Sequence, residues 1–169
     1  RAIYEDHNQN LWIGCYHRGM VMVSKESTPF HFWSVPTREY PQAGVITALY
    51  KDDDGHIVSG VEGEGVFKIT SEGNITDHLF SGKTVSSIYK DYSGNLWFGG
   101  YYSGLYMQDA KGNVRFMLPE IKLKDIKKIT GDDKGNLYLS LFGSGFIRYH
   151  LPTQTVTEYQ SSSGGLRNN

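Results

Sequence analysis

Short apolar runs separated by turns recur along the whole chain, and residues 87–107 show the pattern at full length. One apolar run ends at Asp91, a turn follows at 92–95, Leu96-Trp97-Phe98 stops at Gly99-Gly100, and a third run begins beyond the next short loop. Glycine adopts positive φ without a Cβ clash, which favours tight turns between antiparallel strands. The Asp91 carboxylate is placed to accept hydrogen bonds from N–H groups of the turn. The stretch therefore predicts three antiparallel strands.

The same order of residues returns three more times. The glycines that close the loop before each third run are 46, 39 and 41 residues apart. A period of about 40, with β-branched and aromatic runs and no long helical periodicity, favours propeller blades over helical repeats. A fourth run follows each third one, which gives four antiparallel strands per unit. The closing glycines are Gly19, Gly65, Gly104 and Gly145, and the fourth runs are 30–33, 75–80, 114–118 and 156–159.

We predict an all-β fold of four consecutive four-stranded antiparallel blades. The first strand lacks counterparts of Val45 and Ile46, and 160–169 reads as a linker to a further blade. We therefore expect a fragment of a larger propeller, with a natural four-bladed ring as the alternative. Equivalent blades require Trp12 and Trp97 to have equivalent environments. The predicted blades cover about 1–35, 45–80, 84–118 and 126–159.

Composition narrows the function classes. The formal net charge is −1, so there is no electrostatic case for binding nucleic acid or an anionic membrane. A single cysteine, Cys15, excludes an internal disulfide, and no apolar run reaches the roughly 18 residues of a membrane span. Asp52-Asp53-Asp54-Gly55 resembles the start of a calcium loop, but the later ligands are missing, so we interpret it as an acidic turn. We expect no metal and no cofactor.

Three local departures carry further predictions. Gln9 stands where the other turns have glycine, so we expect either backbone strain there or a different turn. Phe32 and Trp33 are predicted to pack against the next blade rather than to lie exposed. The lysines at 122, 124, 127 and 128 form a basic cluster, which we interpret as a solvated face in preference to a phosphate site.

The loops from second to third strand are the candidate binding site. They share a face with the linkers between blades, and they vary while the frame around them repeats, as expected of a scaffold that carries a site. Aromatic side chains there are suited to stacking on sugar rings, and charged ones to binding hydroxyl or acidic groups. Wedging of the tyrosines between blades is the alternative. The candidates are Tyr16, His17, Arg18, Arg38, Glu62, Glu64, Tyr101, Tyr102 and Phe142.

An enzyme is the rival class. Glu62 and Glu64 form the one close acid pair in these loops. On a strand-like segment both would face the same way, with little room for a substrate between them. No nucleophile elbow, phosphate loop or zinc signature is present, and His17 has no second ligand at metal spacing. We therefore expect no catalysis in this segment.

The stretches Ile88–Gly99 with Gly104-Leu105-Tyr106, and Ile3–Asp6 with Asn10–Gly14, closely resemble the two-component regulator propeller repeat. The match is weaker in the second and fourth units, where Val58, Ser59, Tyr138 and Ser140 depart from the pattern. The resemblance implies seven-bladed propellers, often two in tandem, that form the periplasmic sensor of hybrid histidine kinases, typically in Bacteroidetes. The residues that define the family's repeat belong to its scaffold, so the resemblance identifies no ligand-binding residue in this chain.

The resemblance also implies a role. We expect a periplasmic sensor segment that binds oligosaccharides from polysaccharide breakdown and signals across the membrane to regulate transcription. Its expected partners are the sugar ligand, the remaining blades of the same chain and a second copy of the sensor, with no membrane insertion by this segment. A protein-interaction platform is the alternative function, and a propeller lyase or glycosidase is a further one.

Overall fold

In a computed structural model of the chain, the described residues are 2–15, 19–25, 31–35, 44–121 and 124–160, without the side chains of 31 and 32. They form four antiparallel sheets, and each sheet has four strands in chain order. This confirms the all-β class and the four four-stranded blades, which we number one to four. Within these described ranges, no helix has the length and apolar character to cross a membrane.

The chain divides into two compact units, and residues 1–85 form the first. Its core consists of Trp12 and Met20 from blade one with Ile46, Ile57 and Phe67 from blade two, together with other buried apolar side chains. Blade one contains β1 (Ala2–Glu5), β2 (Leu11–Gly14), β3 (Met20–Val23) and β4 (His31–Trp33). Blade two contains β5 (Ile46–Lys51), β6 (Ile57–Val61), β7 (Gly65–Ile69) and β8 (Ile75–Leu79).

Residues 86–169 form the second unit, whose boundary falls within the first strand of blade three. Its core joins Trp97 and Leu105 of blade three to Ile126, Leu139 and Ile147 of blade four. Blade three contains β9 (Thr84–Lys90), β10 (Leu96–Tyr101), β11 (Gly104–Gln108) and β12 (Val114–Met117), followed by a short 3-10 helix at Pro119–Ile121. Blade four contains β13 (Ile126–Gly131), β14 (Asn136–Leu141), β15 (Phe146–His150) and β16 (Thr155–Tyr159).

A glycine near the end of the second strand allows the next blade to approach closely. A Cβ at Gly99 would lie 2.7 Å from Cγ2 of Ile126, and one at Gly14 would lie 3.0 Å from Cγ2 of Ile46. These glycines therefore serve packing. Gly14 is the last residue of β2, whereas β10 continues to Tyr101, with Gly100 paired to Gly104, beyond the predicted stop at Gly99-Gly100. Apolar side chains of the neighbouring blade fill the space that a Cβ would need.

Asp91 organises the turn between β9 and β10 through four hydrogen bonds. Its Oδ1 accepts the N–H groups of Ser93 and Asn95, both at 2.9 Å. Its Oδ2 accepts the Asn95 side-chain amide at 3.0 Å and the Trp97 indole N–H at 2.8 Å. The carboxylate thus satisfies turn donors and a buried indole together, which confirms the predicted role of the aspartate in the turn.

Blade one repeats this arrangement at Asp6. Oδ1 accepts two backbone N–H groups, and Oδ2 accepts the Trp12 indole at 3.0 Å. Trp12 and Trp97 are both buried and both donate to the aspartate six residues earlier, as the repeat predicted, but Trp12 stacks on Trp33 whereas Trp97 meets Tyr149 edge to face. Burial raises the pKa of Asp6, but the hydrogen bonds from Trp12 and Asn10 lower it more, and the net pKa lies below its ordinary value.

In blades four and two, the equivalent aspartate binds a side chain other than an indole. Asp132 accepts the Tyr138 hydroxyl at 3.0 Å in place of an indole, and the N–H and amide bonds from Asn136 hold the pKa of Asp132 at about 2. Asp52 instead binds the Lys68 ammonium at 2.7 Å. Asp109, which the sequence pattern missed, makes the same turn between β11 and β12, with bonds from Lys111 and Asn113.

Gln9 and Trp33 of blade one both behave as the sequence predicts. Gln9 adopts φ +62°, so the strain predicted at this position is present. Trp33 stacks on Trp12 with ring centroids 5.0 Å apart, and a Cβ at Gly73 of blade two would overlap its indole. This confirms the predicted packing of Trp33 against the next blade, whereas the Phe32 side chain lies outside the described residues.

Candidate ligand-binding site

The loops between second and third strands lie beside the linkers between blades, as predicted. In blade two, the N–H of Glu62 donates to the carbonyl of Val45 at 2.9 Å, and that of Gly65 donates to Lys83 at 2.7 Å. In blade four, the N–H of Phe142 donates to the carbonyl of Asp125 at 2.9 Å. Each bond joins a loop residue to the segment that enters or leaves a blade.

Three predicted aromatic residues, Tyr101, Tyr102 and Phe142, are exposed in the second unit, and we call them the aromatic platform. Their exposed fractions are 51%, 59% and 68%. The rings of Tyr101 and Tyr102 meet edge to face, with centroids 4.6 Å apart. The Lys127 ammonium lies 6.0 Å from the Tyr101 centroid and 4.9 Å from that of Phe142. Lys127 therefore connects the loops of blades three and four.

Asp125, at the entry to β13, anchors both loops of the platform. Its Oδ1 accepts the N–H of Tyr102 at 3.0 Å, and its backbone carbonyl accepts the N–H of Phe142. The buried Ser103 adds a bond of 2.9 Å from its hydroxyl to the carbonyl of Tyr101. The exposed rings thus stand on loops whose backbones are fixed by hydrogen bonds.

Tyr102 holds this place at a conformational cost. Its φ is +45°, and the equivalent loop positions in blades two and four are glycines, Gly63 at +69° and Gly143 at +67°. A non-glycine residue in the left-handed region costs roughly 1–2 kcal/mol. The edge-to-face contact with Tyr101 stabilises the folded chain by only about 0.5–1.5 kcal/mol. An exposed aromatic side chain that strains its backbone has no folding advantage over glycine here.

Wedging between blades was the alternative for these tyrosines, and their exposure contradicts it. Electrostatic interaction with Tyr102 first, and then with Asp125, raises the pKa of the Tyr101 hydroxyl above its ordinary value. Tyr101 is therefore a neutral phenol at physiological pH. A neutral phenol can both donate and accept a hydrogen bond, in addition to offering its ring face.

The other predicted site residues fall elsewhere. Glu62 and Glu64 lie in the tight turn between β6 and β7, around left-handed Gly63, so the expectation of a strand-like segment was wrong. Glu62 is exposed, while Glu64 is half-buried and its carbonyl lies 2.6 Å from His78 Nε2. They belong to the first unit and the platform to the second. Tyr16, His17, Arg18 and Arg38 lie outside the described residues.

One group of possible metal ligands occurs among the residues that the structure describes. Donor atoms of Asp52, Asp54 and His56 lie within 4.8 Å of one another. The Lys68 ammonium already binds Asp52 Oδ2 at 2.7 Å, and Oδ1 accepts the N–H groups of Asp54 and His56. A cationic side chain thus neutralises this carboxylate, and its other oxygen is committed to the turn.

Sequence reasoning missed Asp125 as an anchor and placed Lys127 only in a general basic cluster. The structure separates these lysines: Lys124 pairs with Glu158 at 2.7 Å, whereas Lys127 lies over the platform rings. Alignment of the repeats could have found Lys127, because Thr47 and Ser86 occupy its position in blades two and three. Asp125 carried no comparable signal, since its role depends on two loops that are distant in sequence.

Comparisons with known proteins agree with this fold. The family described as two-component regulator propeller matches residues 1–17 and 79–102. No curated protein matches the chain. Among solved structures, the extracellular domain of a hybrid two-component system of Bacteroides thetaiotaomicron is similar at 23% identity and a TM-score of 0.80, over 97% of this chain and 23% of that one.

Two further structures are similar to a comparable extent. One is the extracellular domain of another B. thetaiotaomicron regulatory system, at 19% identity and a TM-score of 0.73, over 93% of this chain and 23% of that one. The other is virginiamycin B lyase of Staphylococcus aureus, at 16% identity and a TM-score of 0.74, over 94% of this chain and 54% of that one. At these identities the likeness shows the propeller fold alone, and this chain spans less than a quarter of the two regulatory proteins.

Proposed function

We propose that the chain, whose residues 1–17 and 79–102 match the two-component regulator propeller family, is part of the periplasmic sensor of a hybrid two-component histidine kinase and that its aromatic platform binds oligosaccharides. The extracellular domains of such systems, which share the fold over nearly the whole chain, support the cellular role. The platform itself supports the ligand class, because exposed rings stack on the C–H faces of sugars.

The observation that carries the proposal is the left-handed Tyr102. Two sister loops place glycine at this position, and no heavy atom lies within 4 Å of a Cβ added to Gly63 or Gly143. A tyrosine here gains no burial, so its ring serves something outside the fold. Strain of this kind persists at binding sites when neighbouring contacts fix the backbone, as Asp125 does for this loop.

The proposed role of the platform is recognition without chemistry. Tyr101 and Tyr102 lie on the loop of blade three and Phe142 on that of blade four, so one oligosaccharide can touch both loops. A ligand shifts a conformational equilibrium only through different affinities for the two states. Binding across two loops satisfies this condition if their spacing differs between signalling states. The remaining blades and a second sensor copy are the proposed partners in that change.

A protein-interaction platform remains the competing function, because exposed aromatic residues also occur at protein interfaces. The two functions differ in the ligand that the platform binds, which is a protein in one case and an oligosaccharide in the other. A propeller enzyme is the third possibility, and turnover of the same oligosaccharides would support it.

The test uses Tyr102→Gly in the intact sensor, with calorimetry against a panel of defined plant and host oligosaccharides. We expect Tyr102→Gly to raise the free energy of unfolding by about 1 kcal/mol, because the strain is relieved, and to weaken sugar binding at least about tenfold. Gln154→Gly is the matched control. Gln154 is exposed at φ +55° in the turn after β15, at the opposite end of that strand from Phe142.

The control should gain similar stability with unchanged sugar affinity. A Tyr102→Gly protein that is destabilised would show that the ring supports the fold, and one that binds sugar as tightly as the wild type would remove Tyr102 from the site. Binding of no oligosaccharide by the wild type would contradict the proposed ligand class.

A further inference from the structure

A second departure from the repeat occurs at the aromatic platform. In the first strand of each blade, one position directly follows the first buried side chain. This position is Thr47 in blade two and Ser86 in blade three. Both hydroxyls donate to a backbone carbonyl of the following blade, Thr47 to Val85 and Ser86 to Ile126. In blade four this position is Lys127, which has no hydroxyl to make such a bond. The hydrogen bond that this position makes to the following blade in blades two and three is therefore absent for Lys127.

The backbone at this position directs the side chain away from the regular ladder. Ile126 pairs with Leu141 and Lys128 pairs with Ser140, so Lys127 is an extra residue in a β-bulge. Blade two has the same register shift around Thr47. Bulges re-aim side chains and are frequent beside functional sites. In blade four the re-aimed side chain is a cation above the rings of Tyr101 and Phe142.

The charge of Lys127 has no carboxylate partner in the part of the chain that the structure describes. Lys124 is paired with Glu158, whereas Lys127 is exposed and lies over the two rings. Asp125 is the nearest acid in sequence, and its Oδ1 accepts the N–H of Tyr102. Together Asp125, Lys127 and Lys128 sum to a formal charge of +1, from one acid and two lysines. The platform thus presents an ammonium group to solvent.

Resting on the oligosaccharide-binding function proposed above, we propose that the platform binds an acidic oligosaccharide and that Lys127 binds its carboxylate or sulfate group. The ring faces hold the ammonium in place without neutralising it, so an anionic group can pair with it without first breaking an ion pair. Sugar rings stack on the adjacent tyrosines in the same complex. The same lysine excludes cationic ligands, because its ammonium group already occupies the ring faces that a ligand cation would use.

The test compares matched pairs of ligands on the intact sensor. Each pair is an oligouronate and its carboxyl-reduced form, or a sulfated oligosaccharide and its desulfated form, measured by calorimetry. We expect the acidic member of a pair to bind at least about tenfold more tightly than its neutral counterpart. Lys127→Met retains the apolar stem over the rings and should remove this preference, so that both members of a pair bind with similar affinity.

Two further variants separate charge recognition from a structural role. Lys127→Arg keeps the positive charge and should retain most of the acidic preference. Lys128→Met removes the neighbouring exposed lysine, which pairs regularly with Ser140, and should leave the preference intact. The pair that shows the preference identifies the anionic group as carboxylate or sulfate.

Failure of this inference differs from failure of the proposed function. Equal affinity for both members of every pair, or an unchanged preference in Lys127→Met, would overturn the role of Lys127. The sensor proposal would survive that result if Tyr102→Gly still weakened binding. Absence of binding to every acidic and neutral ligand would overturn both.

Discussion

The two ends of blade three contrast in how they use the backbone. At one end, Asp91 satisfies the turn and the Trp97 indole with four hydrogen bonds, and a glycine, Gly94, takes the positive φ of +85°. At the other end, Tyr102 takes a positive φ without being glycine and exposes its ring. The first end minimises strain and buries its aromatic group, whereas the second accepts strain in order to expose one.

This contrast separates the scaffold from the candidate site. The aspartate turn recurs in every blade with the same two backbone bonds, at Asp6, Asp52, Asp91 and Asp132. The loop at the other end keeps its anchors to the linkers but changes its side chains. Selection for stability explains the first pattern, and the proposed contact with an external ligand would explain the exposed, left-handed Tyr102. Three experiments test this distinction.

The largest effect is expected at the scaffold end. Asp91→Ala removes four hydrogen bonds and leaves the buried Trp97 N–H unsatisfied, so we expect a loss of about 3–4 kcal/mol in the free energy of unfolding. Asp109→Ala is the matched control, since Asp109 makes the same turn bonds without an indole partner and is more exposed. It should cost clearly less than Asp91→Ala, because solvent can replace the bonds of the exposed carboxylate. Urea denaturation measures both, and equal losses would show that the indole bond adds nothing.

The second-largest effect should be a loss of stability in acid at the aspartate turns. The pKa of Asp132 is held at about 2, below its ordinary 3.8, so the carboxylate form is favoured in the folded chain. Its contribution is fully present above pH 3.8 and is lost as the pH falls towards 2. We expect the urea midpoint to fall over this range by more in the wild type than in Asp132→Asn, which cannot ionise. Parallel curves for the two proteins would contradict the role of the ionised carboxylate.

The smallest effects concern strain at single loop positions. Gly63→Tyr imposes on blade two the substitution that blade three already carries, and we expect it to cost roughly 1–2 kcal/mol. Gln9→Gly relieves φ +62° in the first turn and should gain up to about 1 kcal/mol, reduced by loss of the Lys25 contact with the Gln9 side chain. If Gly63→Tyr proves neutral in thermal unfolding, Tyr102 is not strained and the contrast between the two ends disappears.

Much of the fold was predictable from the chain alone, because turns and strand pairing are local. The Asp, Gly and Asn spacing of the turns, the four apolar runs per unit and the matching aspartate bonds of Trp12 and Trp97 all depend on residues within about one repeat. Gly99-Gly100 was misread as a strand end, and the packing role of Gly14 and Gly99 was missed. Their reason, the approach of Ile126 or Ile46, lies in another blade and leaves no mark in the local pattern.

The site was predictable only in outline. Sequence position alone identified Tyr101, Tyr102 and Phe142 as loop residues, since the repeat fixes which segments join second and third strands. It assigned Lys127 to a solvated face and gave Asp125 no role, because each contacts a residue of blade three that lies 23 or more residues earlier in the chain.

The sequence by itself determined the repeat, the blade and the identity of the loops, because hydrogen-bonded turns and alternating apolar positions are encoded by neighbouring residues. Only the tertiary structure decided that a β-bulge aims Lys127 over two rings and that Asp125 fixes both loops beneath them. The physical reason is that packing between blades brings together residues whose separation along the chain carries no periodic signal.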